Sequence, residues 1–182
     1  FAVSISDSSF KMASSDNRGR FSESSLILSE IVENEIRFLD KGTYLLEIIS
    51  DLEQPAFKIG SLGHMDLNQG TYYYIGSAFG PGNLKARLER HLTSKKKKHW
   101  HIDYLLEHLA VKTIWCCCGD RENEHTWAKN FTSEDAIEIP LEGFGSSDCS
   151  CETHLFFSQK KLSGNRIKRL LSGTISGEVF SS

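Results

Sequence analysis

Tyr44, Tyr74, Arg87 and Glu124 are the residues of this chain whose types could together cleave a phosphodiester. A phenol can order or deprotonate water, a guanidinium can grip phosphate, and a carboxylate can hold a divalent metal. Tyr44 lies in the apolar run GTYLLEII and Tyr74 in GTYYYIGSA. Arg87 follows in GNLKARLERH, with His91 one helical turn beyond it on the same face. Glu124 opens the segment EHTWAKNF, with Glu122 as the alternative acid. Each residue also has a plainer reading. Strand tyrosines usually pack, and a helix arginine usually faces water.

A phenol with its ordinary pKa of about 10 needs positive charge nearby to act as a base near neutrality. Arg87 and a bound cation would supply it. Tyr74 is favoured over Tyr44 as that base, and His91 could touch phosphate or shuttle a proton. A single carboxylate plus water is typical of Mg²⁺, so Glu124 is expected to hold one Mg²⁺ or Mn²⁺.

Three other clusters carry chemistry-capable side chains. The stretch His99-Trp100-His101-Ile102-Asp103 looks like a zinc-hydrolase HxHxD pattern, but Tyr104 stands where that pattern wants histidine. Helix capping by Asp103 is the expectation there. Cys149, Cys151 and His154 are three zinc-capable side chains, but their spacing is tight and the segment lacks a fourth ligand. They are read as small buried thiols and a hydrogen-bonded histidine closing the domain edge, with substrate contact as the other option. Lys85, Arg87, Arg90 and Lys95 to Lys98 form a basic run beside the arginine helix, and this is read as a nucleic-acid contact.

The elements that must position these groups follow from periodicity. Strands are expected over 43–50, 56–62, 70–77, 111–117 and 154–157. Leu84, Leu88 and Leu92 recur every four residues after Pro81-Gly82-Asn83, which predicts a helix. Further helices are expected over 26–39, 103–109 and 122–131, with loops at 63–69 and 143–151. No regular βαβ alternation appears. The fold class is therefore α/β, a small, mostly antiparallel central sheet flanked by helices. Residues 1–24 read as a disordered Ser-rich leader, 25–40 as a helix, 41–157 as the domain and 158–182 as a flexible basic tail.

The ordered series of motifs resembles the GIY-YIG nuclease superfamily, and more narrowly its Uri-type stand-alone branch. The resemblance covers about residues 41–157. It rests on KGTYLL, YYYIGSAFG, RH followed by HWHIDYLLEH, and FGSSDCSCxxHLFF. It implies a three-stranded antiparallel sheet with helices and a metal-dependent endonuclease acting on DNA, with RNA as the second candidate substrate. It also implies that Tyr44 and Tyr74 match the two signature tyrosines, Arg87 the phosphate-contacting arginine, and Glu124 the metal ligand, and that the stretch His99 to Asp103 contacts DNA. The rival expectation is a catalytically inactive nucleic-acid-binding module on the same fold. A third is a zinc-stabilised interaction domain built on Cys149, Cys151 and His154.

Composition excludes some alternatives. At 182 residues the chain has room for one real core, and its 39% hydrophobic and 25% charged content is ordinary for a globular protein. No stretch approaches the roughly 18 apolar residues of a membrane span. A net charge of -3 means that nucleic-acid binding must come from a local patch. Five cysteines, three consecutive, do not form a secreted disulfide framework. An intracellular location, cytoplasmic or nuclear, is expected, with an organellar one left open. The chain begins at Phe1, and Met12 is read as a candidate start.

Overall fold

The computed structural model describes residues 41–93 and 96–171. The leader and helix expected over 1–40 lie outside the described residues, as do Lys95 and the last eleven residues. The strands are β1 (Gly42–Ser50), β2 (Gln54–Ile59), β3 (Gly63–Leu67), β4 (Gly70–Ala78), β5 (Ala110–Cys118) and β6 (Leu155–Ser158). The helices are α1 (Asn83–Leu92), α2 (His101–Leu105), α3 (Asn123–Thr132) and α4 (Gly164–Leu170). None of the helices among the described residues is long and apolar enough to cross a membrane.

The central sheet has the order β5-β1-β4-β6, and every neighbouring pair is antiparallel. β2 and β3 form a separate hairpin. This is the small α/β fold with an antiparallel sheet that the sequence predicts. β1 and β4 are buried at almost every position, as central strands covered on both faces must be. Alternation then sorts their side chains. Tyr44, Leu46, Ile48, Tyr72 and Tyr74 join one core cluster, while Leu45, Tyr73 and Ile75 join the other.

The first cluster is closed by Leu84 and Leu88 of α1, Ile102 and Leu105 of α2, and the β2–β3 hairpin. The second is closed by Trp127, Ala128 and Phe131 of α3 and by Ile167 and Leu170 of α4. The glutamate helix and the arginine helix therefore cover opposite faces.

Four expectations change. Gly63–Leu67 is a strand rather than a loop, its Met65 and Leu67 buried and His64 and Asp66 exposed. The second helix begins two residues early and is short, His101–Leu105. β6 adds a fourth strand to the three expected from resemblance. The domain also continues past residue 157. Leu162, Ile167, Leu170 and Leu171 are buried in the second cluster, and Ser163 caps α4 by accepting from the Arg166 amide. That burial holds in place a segment read as flexible tail.

Candidate active site

The register of β1 and β4 brings the two phenols together. Tyr44 lies opposite Gly76, and Tyr74 lies opposite Leu46, so the tyrosines are diagonal neighbours on one face. Their ring centroids are 6.3 Å apart. Gly76 makes the arrangement possible. A Cβ there would lie 2.6 Å from Tyr44 Cζ and closer still to its hydroxyl oxygen. The glycine of YIG thus clears space for the first tyrosine.

His91 enters this site from the apolar side of α1. It is 3% exposed and lies with Leu84 and Leu88 on the buried face, and Leu92, half-buried, packs against the same cluster. The Tyr44 hydroxyl and His91 Nε2 are 2.7 Å apart. His91 Nδ1 is buried with no hydrogen-bond partner among the described residues. Burial, assisted by the Lys96 charge, pushes the imidazole pKa down to about 3 from 6.5, so His91 is neutral at neutral pH. A neutral imidazole with Nε2 unprotonated accepts a hydrogen bond from the Tyr44 hydroxyl.

Burial also pushes both phenols up from 10.0. For Tyr44, the neighbouring Tyr74 and Glu124 add to that push and Arg87 opposes it. For Tyr74, Glu124 adds and Arg87 opposes. Both phenols are therefore protonated at neutral pH in this arrangement. They differ in access. Tyr44 is sealed by His91, while Tyr74 is 8% exposed and edge-on to His91 and Phe144.

Arg87 and Arg90, one turn apart on α1, both lie over the Trp100 ring, at 4.2 and 4.6 Å from its centroid. The nearby carboxylates serve other cations: Glu89 pairs with Lys85, and Asp103 with Arg90 and Lys96. Trp100 therefore holds Arg87 in place, and no carboxylate among the described residues takes up its guanidinium donors. Asp103 is fully buried and accepts from the His99 and Trp100 amides, which caps α2 as the sequence suggested. Burial alone would raise its pKa, but these two amides and the two cations outweigh it and lower it.

The basic run divides along its length. Lys96 turns inward, donating to the Arg90 and His91 carbonyls at the end of α1 and pairing with Asp103. It is a structural cap, not a free contact for nucleic acid. Lys98 pairs with Glu107, and Lys97 is exposed.

Glu124 sits in the first turn of α3, a helix on the opposite face from α1. Its carboxylate lies at the rim where β6 begins, and from there its charge raises both phenol pKa values. There the backbone of His154 joins Ile75, and Glu124 Oε1 is 3.5 Å from His154 Nδ1. Glu122, the alternative acid, is the exposed residue preceding the helix. Tyr44, Tyr74, Arg87 and His91 thus share one face, and Glu124 approaches from the sheet's edge. Sequence reasoning missed Trp100 as the platform for Arg87; a tryptophan a short loop beyond two arginines one turn apart was the available signal.

Residues 43–175 match the family described as a domain of unknown function, DUF123. The chain belongs to that family. No curated protein and no solved structure matches it. The DUF123 match contains Tyr44, Tyr74, Arg87, His91 and Glu124, and it extends through α4, in agreement with the longer domain.

Proposed function

We propose that this DUF123 protein is a metal-dependent endonuclease of the GIY-YIG, Uri-type kind that hydrolyses DNA phosphodiester bonds. One observation carries the reading: Tyr44 and Tyr74 lie on one sheet face with ring centroids 6.3 Å apart, with His91 of the arginine helix against both, while Glu124 stands 3.5 Å from His154, whose carbonyl accepts from the amide next to Tyr74. A positive group for phosphate, hydroxyls for water and an acid for a cation is the set that phosphodiester hydrolysis needs.

Arg87, held by Trp100, binds a non-bridging phosphate oxygen and neutralises charge as it develops. Tyr74, the more accessible phenol, orients the attacking water. Tyr44 and His91 hold each other through their hydrogen bond, the neutral imidazole fixing the direction of the Tyr44 hydroxyl beside Tyr74. The resemblance implies Mg²⁺ or Mn²⁺, and the donor chemistry fits. Glu124 is partly exposed, 17% for its side chain, and one of its oxygens faces His154. A lone carboxylate suits a hard cation that keeps most of its waters. When bound, that cation supplies positive charge for the leaving oxygen and favours the phenolate form of the nearby tyrosines.

Burial of both phenols gives the second reading some support: a DNA-binding module without turnover. One experiment separates them. Single-stranded, duplex, flap and branched DNAs are incubated with the protein and Mg²⁺ or Mn²⁺, or with chelator. Cleavage that needs the cation and is lost in Arg87→Ala supports the nuclease. Retention of labelled DNA with no cleavage of any substrate supports the binding module.

A further inference from the structure

The loop before β6 and the first turn of α3 bring four nitrogen and sulfur ligands together. They are His125, Cys149, Cys151 and His154, and their ligating atoms all lie within 4.8 Å of one another. The sequence segment lacked a fourth ligand; the fold supplies it as His125, a non-local neighbour on α3. We propose that these four residues form a structural zinc site, independent of the nuclease reading.

The geometry is close to what zinc requires. With Zn–S at about 2.3 Å and Zn–N at about 2.0 Å, the edges of a tetrahedral site run about 3.3–3.8 Å. His125 Nδ1 is 3.3 Å from Cys151 Sγ, and Cys149 Sγ is 3.6 Å from His154 Nε2. Two opposite edges of the tetrahedron already have their bound length. Only the remaining edges need to contract, by about 1.5 Å at most for a pair of nitrogens at the outer limit.

The surroundings select the ligand atoms. His154 presents Nε2 to the cluster, and its other nitrogen faces Glu124 Oε1 at 3.5 Å. A carboxylate behind a ligating histidine fixes the ring and strengthens the nitrogen as a donor. Two cysteines and two histidines form a closed, soft donor set that favours Zn²⁺ over Mg²⁺. On binding, each thiol gives its proton to solvent and its sulfur a bond to zinc, so the two thiolates balance the metal's charge.

The placement explains what such a metal would do. Between Thr132 and Leu155 there is no helix or strand longer than one bridge, and such long connections usually need their own staple. Hydrogen bonds Gly143 N to Glu152 O and His154 N to Phe144 O shape the loop locally. Zinc would tie that loop to α3. It would also fix the turn carrying Phe144, which packs against Tyr74, and the helix turn carrying Glu124.

The test is metal content of the full chain purified without added metal or chelator, followed by cobalt replacement. One zinc per chain is expected. The cobalt form should show visible d–d bands and a near-ultraviolet sulfur-to-cobalt absorption. His125→Gln should weaken zinc binding by about 10–100-fold or more, and Cys118→Ser, at an exposed thiol outside the cluster, should leave it unchanged. Circular dichroism reports whether each variant folds. Should His125→Gln fail to fold, the cobalt spectrum of the unmodified chain still decides the matter. A folded, zinc-free protein with no cobalt–thiolate absorption would overturn the proposal, as would an intact-mass loss of two hydrogens showing a Cys149–Cys151 disulfide. Because none of these readouts involves DNA, failure here and failure of the nuclease reading are separable.

Discussion

Tyr44 and His91, from the central strand and the arginine helix, meet through a buried 2.7 Å hydrogen bond on the sheet face that also carries Tyr74. The contact gives α1 a fixed rotation over the sheet. Arg87, one turn earlier, is thereby directed to Trp100 and the site. The pair therefore combines a packing role with a chemical one.

Tyr44→Phe removes the hydroxyl and leaves His91 Nε2 buried without its partner, a loss of about 1–3 kcal/mol. The variant is expected to fold with a lower urea midpoint and to lose cleavage in proportion well beyond its loss of stability. Tyr74→Phe removes a hydroxyl with no such buried partner. Its midpoint should stay near that of the parent protein while cleavage falls. Equal stability loss in both variants would argue against the different settings of the two phenols.

Gly76→Ala tests the space reserved for Tyr44. Its new methyl group would overlap the Tyr44 ring and hydroxyl, so β4 or the phenol must shift. Overpacking of this kind costs about 1–3 kcal/mol. The Tyr44–His91 bond should break, which a crystal structure or the histidine NMR signal of the variant would reveal. Cleavage should fall even where the variant remains folded.

The strands that carry Tyr44 and Tyr74, the antiparallel character of their sheet and the Leu84–Leu88 face were legible because local period and residue type carry them. The missed pieces were of two kinds. β3 and α4 had readable patterns, Met65 with Leu67 and Ile167 with Leu170, but glycine, serine and lysine around them made the composition look like loop and tail. Lys96 and His125 were different. One is pulled inward by a buried Asp103, and the other meets a loop that follows it by more than twenty residues. Such partners exist only in three dimensions, so a charge run and a three-ligand cluster stayed ambiguous.

Lys96 and Lys97, adjacent in sequence, should therefore give opposite phenotypes. Lys96→Ala removes a cap from α1 and one of the two cations on buried Asp103, and should lower stability by about 1–3 kcal/mol. Lys97→Ala should leave stability unchanged and flatten the salt dependence of DNA binding by about one unit of slope. Denaturant melts and DNA titrations at several salt concentrations measure both. An unchanged slope would show that Lys97 makes no phosphate contact.

His91 predicts an acid limb in stability. Its pKa is about 3 in the folded protein and rises to 6.5 on unfolding. The unfolded chain therefore takes a proton that the native site refuses as pH falls below about 6.5, and stability falls by about 1.4 kcal/mol per pH unit through that window. Above it the group contributes no pH dependence. His91→Gln removes this term, so the drop in urea midpoint between about pH 7 and about pH 5 should shrink. His101, whose pKa is also lowered by burial, would retain a smaller slope of the same sign. Equal slopes in the parent and the variant would place the acid sensitivity elsewhere.

Glu124 is asked to do two things, to support a hard cation beside the phenols and to stand behind His154, and its variants can tell them apart. Glu124→Ala leaves Arg87, Trp100 and Lys97 to hold phosphate, so DNA binding should persist. Cleavage should fall roughly 10²-fold or more, as when a main electrostatic stabiliser is lost. Alanine is tolerated in the first turn of α3, and Trp127, Ala128 and Phe131 still anchor the helix. If Glu124 acts through Mg²⁺, the residual rate should no longer respond to Mg²⁺ concentration while zinc content stays close to one. If it acts only by orienting His154, zinc affinity should fall about 10–100-fold and the Mg²⁺ response should survive. Glu122→Ala, at an exposed position before the helix, should change neither readout. Loss of cleavage in Glu122→Ala with full activity in Glu124→Ala would move the catalytic acid to Glu122 and sever it from both phenols.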